Sequence, residues 1–60
     1  MTKLDWITNI ENAATKVEKK SGRSTVEFVL QKFGASSIED LSESRYSEVW
    51  DELDFVANDN

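Results

Sequence analysis

The chain lacks cysteine, histidine and proline, and it has only two glycines in 60 residues. Without cysteine there can be no disulfide, and without Cys or His the usual zinc ligand sets are excluded. The common nucleophile–base pairs of catalysis go with them. Without proline, nothing forbids helix outright at any position. Long apolar runs are also absent. No stretch approaches the roughly 18 residues of a membrane span, and none reads as a secretory signal. These absences lead to the expectation of a single small cytoplasmic domain spanning 1–60, with no cofactor, no metal and no membrane partner.

What is present is helical patterning. Leu4, Ile7, Ile10, Ala14 and Val17 recur at helical spacing, and Trp6 and Ala13 widen the stripe. This predicts a helix over about 3–20. Thr2 is its N-cap, with Asp5 three residues on. Lys16, Lys19 and Lys20 crowd its last turn, where the helix dipole favours cations. Ser21-Gly22 reads as the stop.

Val26, Val29, Leu30 and Phe33 form one face of a second helix, over about 25–33. Ser24 and Glu27 have the spacing of a capping box, and Gly34 ends the helix. Within the connector, Ser36-Ser37-Ile38-Glu39 is another capping pattern. It predicts a short helical turn near 37–41, with Ile38 and Leu41 plugging the core. Ser42 caps a third helix over about 43–57, lined by Tyr46, Val49, Trp50, Leu53, Val56 and Ala57. Residues 58–60 read as a frayed tail. The fold expected is an all-α bundle of three main helices and one short turn.

The net charge of −5 is unevenly spread. Residues 1–32 carry +2 and residues 33–60 carry −7. Such asymmetry either signals a partner or reflects a basic helix end lying against an acidic helix of the same chain. The close carboxylates Asp40/Glu43 and Asp51/Glu52/Asp54 read as a solvated face. The loop Glu39–Glu43 lacks the ligand alternation and central glycine of an EF-hand. The two isolated glycines make no phosphate loop.

Two aromatics fall off the core faces. Phe28 and Phe55 lie nearly opposite the apolar stripes of their helices. They either anchor a partner or a homodimer, as aromatics do at interfaces, or are covered by another part of a three-helix unit. Trp6 is grouped with them as a candidate interface residue. The turn carrying Lys16, Lys19, Lys20 and Arg23 is the candidate for phosphate contacts, or serves as dipole complement and solubility. The acidic total opposes nucleic acid.

The stretch Val26-Glu27-Phe28-Val29-Leu30-Gln31-Lys32-Phe33-Gly34-Ala35, followed by Asp40-Leu41, Tyr46 and Glu52-Leu53, resembles a known segment. It is similar to the C-terminal unit of small phage and mobile-element proteins of Firmicutes, often labelled ribosomal-RNA-biogenesis-like. It is also loosely similar to helix–extended-loop–helix modules of the LEM and SAP kind. The shared pattern is an aliphatic pair, Lys, aromatic, Gly-Ala, a Leu-containing connector and a Tyr-led helix, over about half the chain. The resemblance implies association with nucleic acid or chromatin, or an accessory role in phage DNA metabolism.

Two function classes follow. The first is a non-catalytic protein-interaction module, mobile-element encoded, binding through Trp6, Phe28 or Phe55 and an acidic surface. The second is a nucleic-acid-binding accessory protein using Lys16, Lys19, Lys20 and Arg23. An enzyme is not expected.

Overall fold

Backbone hydrogen bonding divides the chain into three helices. In the computed structural model, which describes residues 1–59, α1 runs Lys3–Ser21, α2 Arg23–Lys32 and α3 Tyr46–Asn58. Two 3-10 turns, Ile38–Asp40 and Glu43–Arg45, lie between α2 and α3. Among the described residues there is no strand. The all-α class and the three main helices match the reading of the sequence.

Helix α1 begins as expected. Thr2 Oγ1 accepts the Asp5 N–H at 3.2 Å, and the Thr2 N–H donates to Asp5 Oδ2 at 3.2 Å, a complete capping box. The helix ends at Gly22, whose N–H donates to the Glu18 carbonyl at 2.8 Å.

The start of α2 differs from the expectation. Gly22, with φ 92° and ψ 163°, is at once the C-cap of α1 and the N-cap of α2. Only glycine adopts that backbone readily, and it lets the chain re-enter helix at Arg23. Ser24 is therefore already inside the first turn, and no side chain caps α2. The hydroxyl that does bond here is that of Thr25, which donates to the Ser21 carbonyl at 3.2 Å.

The end of α2 follows the glycine signal. Phe33 is the C-cap, and Gly34 has φ 74°. The Gly34 N–H donates to the Gln31 carbonyl at 3.0 Å, and the Ala35 N–H to the Leu30 carbonyl at 3.1 Å. This pair of bonds is a Schellman motif, which also brings the residue after the glycine back onto the helix. That explains why Ala35, the first residue of the connector, is buried.

The connector has more order than one turn. The turn Ile38–Asp40 is held by Asp40, whose Oδ2 accepts the Ser36 N–H at 3.2 Å; neither Ser36 nor Ser37 caps it as expected. Leu41 is buried and Ile38 half-buried. Ser42 makes no side-chain cap either; the turn Glu43–Arg45 precedes α3 and closes through the Arg45 N–H to the Ser42 carbonyl at 2.9 Å. At the other end, Asn58 still belongs to α3, its Nδ2 donating to the Asp54 carbonyl at 2.9 Å. Of the expected frayed tail, Asn58 is helical, Asp59 is the cap, and Asn60 lies outside the described residues.

Two side-chain contacts fix the helix directions. Lys3 Nζ lies 3.4 Å from Glu43 Oε1 at one end of the molecule. Lys20 Nζ donates to the Val56 carbonyl at 3.1 Å at the other. Helices α1 and α3 therefore run parallel, and α2, joined to α1 through a single glycine, runs back between the two ends. The most extensive helix–helix contact is that of α1 with α3. The core joins Ile10, Ala13, Ala14 and Val17 of α1 to Val26, Val29 and Leu30 of α2 and to Tyr46, Val49 and Leu53 of α3. Ile10, Val17, Val49 and Leu53 are fully buried.

At about 1.5 Å per residue, the 19 residues of α1 account for the 29 Å long axis. The shortest axis is 14 Å. Each of the three helices packs against the other two and keeps its outer face on solvent. Leu4, expected in the core stripe, is 75% exposed.

Candidate functional site

The outward face of α2 presents Phe28, 62% exposed. One turn further along, Lys32 folds back so that its Nζ stands 5.9 Å from the centroid of the Phe28 ring. A cation at that distance is attracted by the ring face. The same ammonium forms an ion pair and hydrogen bond with Glu52 of α3. Glu52 lies one helical turn before Phe55, which is 71% exposed. The two exposed phenylalanines are thus joined across the α2–α3 seam by a Lys32–Glu52 bridge. Each ring lies on the outward face of its helix because α2 and α3 turn their apolar stripes inward.

Trp6, the third expected interface aromatic, is placed differently. It is half-buried and packs against the core. The widened stripe of α1 arises because α1 contacts both other helices, and Trp6 belongs to that contact.

The basic turn is dispersed in its roles. Lys16, Lys19, Lys20 and Arg23 are all exposed. Lys20 is engaged with the C-terminal carbonyls of α3 through Val56. Helix α3 has no basic residue in its own last turn, so Lys20 supplies from α1 the cation that its dipole favours. Arg23 stands at the rim of an open cleft between α1, α2 and the Ile38–Asp40 turn. That cleft, of about 360 Å³, has Ala14, Val26, Leu30 and Ile38 in its floor. Glu11, Glu18, Glu27 and Glu39 line it beside Arg23.

The unequal charge of the two halves is partly matched within the molecule. Lys3–Glu43 and Lys32–Glu52 both join the first half to the second. Both pairs are exposed enough to contribute at most about 1 kcal/mol each. Arg45 bonds Glu48 within the acidic half, at 3.0 Å. Among the described residues, Asp51 has no ion-pair or hydrogen-bond partner.

Sequence reasoning found Phe28 and Phe55 but missed the bridge between them. Half of it was available, since Phe28 and Lys32 are four apart on one helix and hence neighbours. The pairing with Glu52 joins residues 20 apart and has no local signature. Comparison with protein-family models, with curated proteins and with solved structures finds no match.

Proposed function

We propose that this chain is a small non-catalytic interaction module whose partner-binding surface is the α2–α3 seam carrying Phe28 and Phe55. The observation that carries the reading is the exposure of those two rings, 62% and 71%. Large aromatics left in water on a small domain have lost the burial that would stabilise the fold, roughly 1.5–3 kcal/mol for a phenylalanine. At interfaces the same residues supply much of the binding energy. The fold does not use them, and partner binding gives them a role.

Tyr46 is the one buried side chain among the described residues that carries a polar atom, and no charged side chain is buried. A mobile-element origin and a cytoplasmic setting belong to the same proposal and draw on the resemblance of Val26–Ala35 and the segments after it. No helix among the described residues is long and apolar enough to cross a membrane. A role on nucleic acid draws less support, because Lys20 is engaged with α3 and the chain carries −5.

The test uses Phe28→Ser and Phe55→Ser, alone and together, as bait in capture from bacterial lysate. Both positions are exposed, so helix content by circular dichroism and the unfolding midpoint stay close to those of the parent. The reading expects the double variant to lose whatever the parent captures. It is overturned if the double variant captures the same proteins as the parent, or if Phe28→Ser unfolds the chain and so shows the ring to be part of the core.

A further inference from the structure

We propose that the outer face of α3 around Phe55 docks a cationic segment of a protein partner, with an Arg or Lys side chain lying over the Phe55 ring beside Asp51 and Glu52. This rests on the interaction reading above and names the chemistry of the partner. The argument begins at Phe28, where the chain has assembled three groups from its own residues. A ring (Phe28), a cation over it (Lys32) and a carboxylate that holds the cation (Glu52) stand together. That is the only cation–ring pair among the described residues.

Phe55 repeats the arrangement with one member missing. It is the more exposed ring. Asp51 and Glu52 precede it by four and three residues on α3, which puts both carboxylates on its face of the helix. Glu48 continues the same stripe one turn further back. Among the described residues no cation of this chain stands over the ring. Lys32 is spent on Phe28 and Glu52, Arg45 on Glu48, and Lys20 on the Val56 carbonyl. The face therefore offers a ring and carboxylates with Asp51 unmatched, and a guanidinium or ammonium complements both at once.

Charge decides between possible occupants. A second copy docked by a two-fold axis on this face sets Asp51 and Glu52 against their own counterparts, and like charges so placed oppose association. Each copy also carries −5. A nucleic acid or an anionic membrane meets the same repulsion. A segment of a protein bearing several Lys or Arg residues meets attraction over the whole face.

The experiment titrates the ¹⁵N-labelled full chain with a blocked peptide of alternating glycine and arginine, against the same peptide with citrulline, its uncharged isostere. Three results are expected. Amide shifts concentrate on α3 between Glu48 and Asp59, and binding weakens as salt is raised. The arginine methylene protons move upfield by ring current. Phe55→Leu abolishes that upfield movement and weakens binding about two- to fivefold, while Leu4→Ala, at an exposed position on α1, leaves both unchanged.

The proposal is overturned by shifts spread equally over the acids of the α1–α2 cleft, by binding indifferent to Phe55→Leu, or by equal binding of the citrulline peptide. It is also overturned if the chain alone self-associates through α3 and Lys16→Ser with Lys19→Ser abolishes this, since the occupant is then a second copy. Failure here is separable from failure of the interaction reading. If the double Phe→Ser variant loses its partner while the arginine peptide ignores Phe55, only the cationic class of partner falls.

Discussion

Gly22 and Gly34 both have positive φ, yet they are not equivalent residues. Gly34, at φ 74°, is in the left-handed region that Asn also visits. Gly22, at φ 92° and ψ 163°, is in a region confined almost wholly to glycine. A Cβ built at either meets nothing within 4 Å, so substitution is felt through the backbone alone. Gly34→Ala is expected to cost about 1–2 kcal/mol, with Gly34→Asn costing less. Gly22→Ala is expected to cost about 1–3 kcal/mol, with no relief from Asn. Urea unfolding of the four variants checks this; an Asn that rescues position 22 contradicts it. Both glycines are legible in the sequence as stops, but their difference depends on ψ at Gly22, which no residue pattern reports.

At the scale of the element, three capping patterns of similar appearance behave differently. Thr2/Asp5 forms both of its bonds. Ser24/Glu27 forms neither, because Gly22 has already started α2 at Arg23. Ser36/Glu39 gives way to Asp40, whose carboxylate accepts the Ser36 N–H. A capping box needs its serine or threonine in extended backbone just before the helix. Thr2 has that, at φ −78° and ψ 167°, and Ser24 does not. Thr2→Ala is accordingly expected to lose about 0.5–2 kcal/mol, whereas Ser24→Ala stays within about 0.5 kcal/mol. Thermal unfolding followed at 222 nm separates the two; a larger loss for Ser24→Ala refutes the shared-glycine junction. The helix interiors are more faithfully legible, since Val26, Val29 and Leu30, or Tyr46, Val49 and Leu53, are buried where periodicity places them.

For the whole molecule the decisive quantity is how many helices there are to cover one another. A 60-residue chain has a small core, and cores of this size rarely supply more than about 3–5 kcal/mol. Leu53 is fully buried at the centre of α3. Leu53→Ala is expected to cost about 2–5 kcal/mol, enough to leave most of the chain unfolded at 25 °C by circular dichroism. Retention of the parent's midpoint contradicts the packing described. The same shortage of layers leaves Phe28 and Phe55 in solvent, since covering their faces takes a fourth element.

What the sequence alone determined was everything governed by interactions within a turn or so. The helical class, the stops at Gly22 and Gly34, the Thr2 cap and the inward stripe of each helix all follow from hydrogen bonds and side-chain spacing over about four residues. What the tertiary structure decided was coverage and distant pairing. Packing against the core half-buried Trp6, while Leu4 in the first turn of α1 stayed in water. The parallel run of α1 and α3 brought Lys20 to the Val56 carbonyl, and the α2–α3 seam brought Lys32 to Glu52. Those contacts depend on the directions and number of the helices, which a local pattern does not encode. The Lys32–Glu52 contact links the helix that carries Phe28 to the helix that carries Phe55.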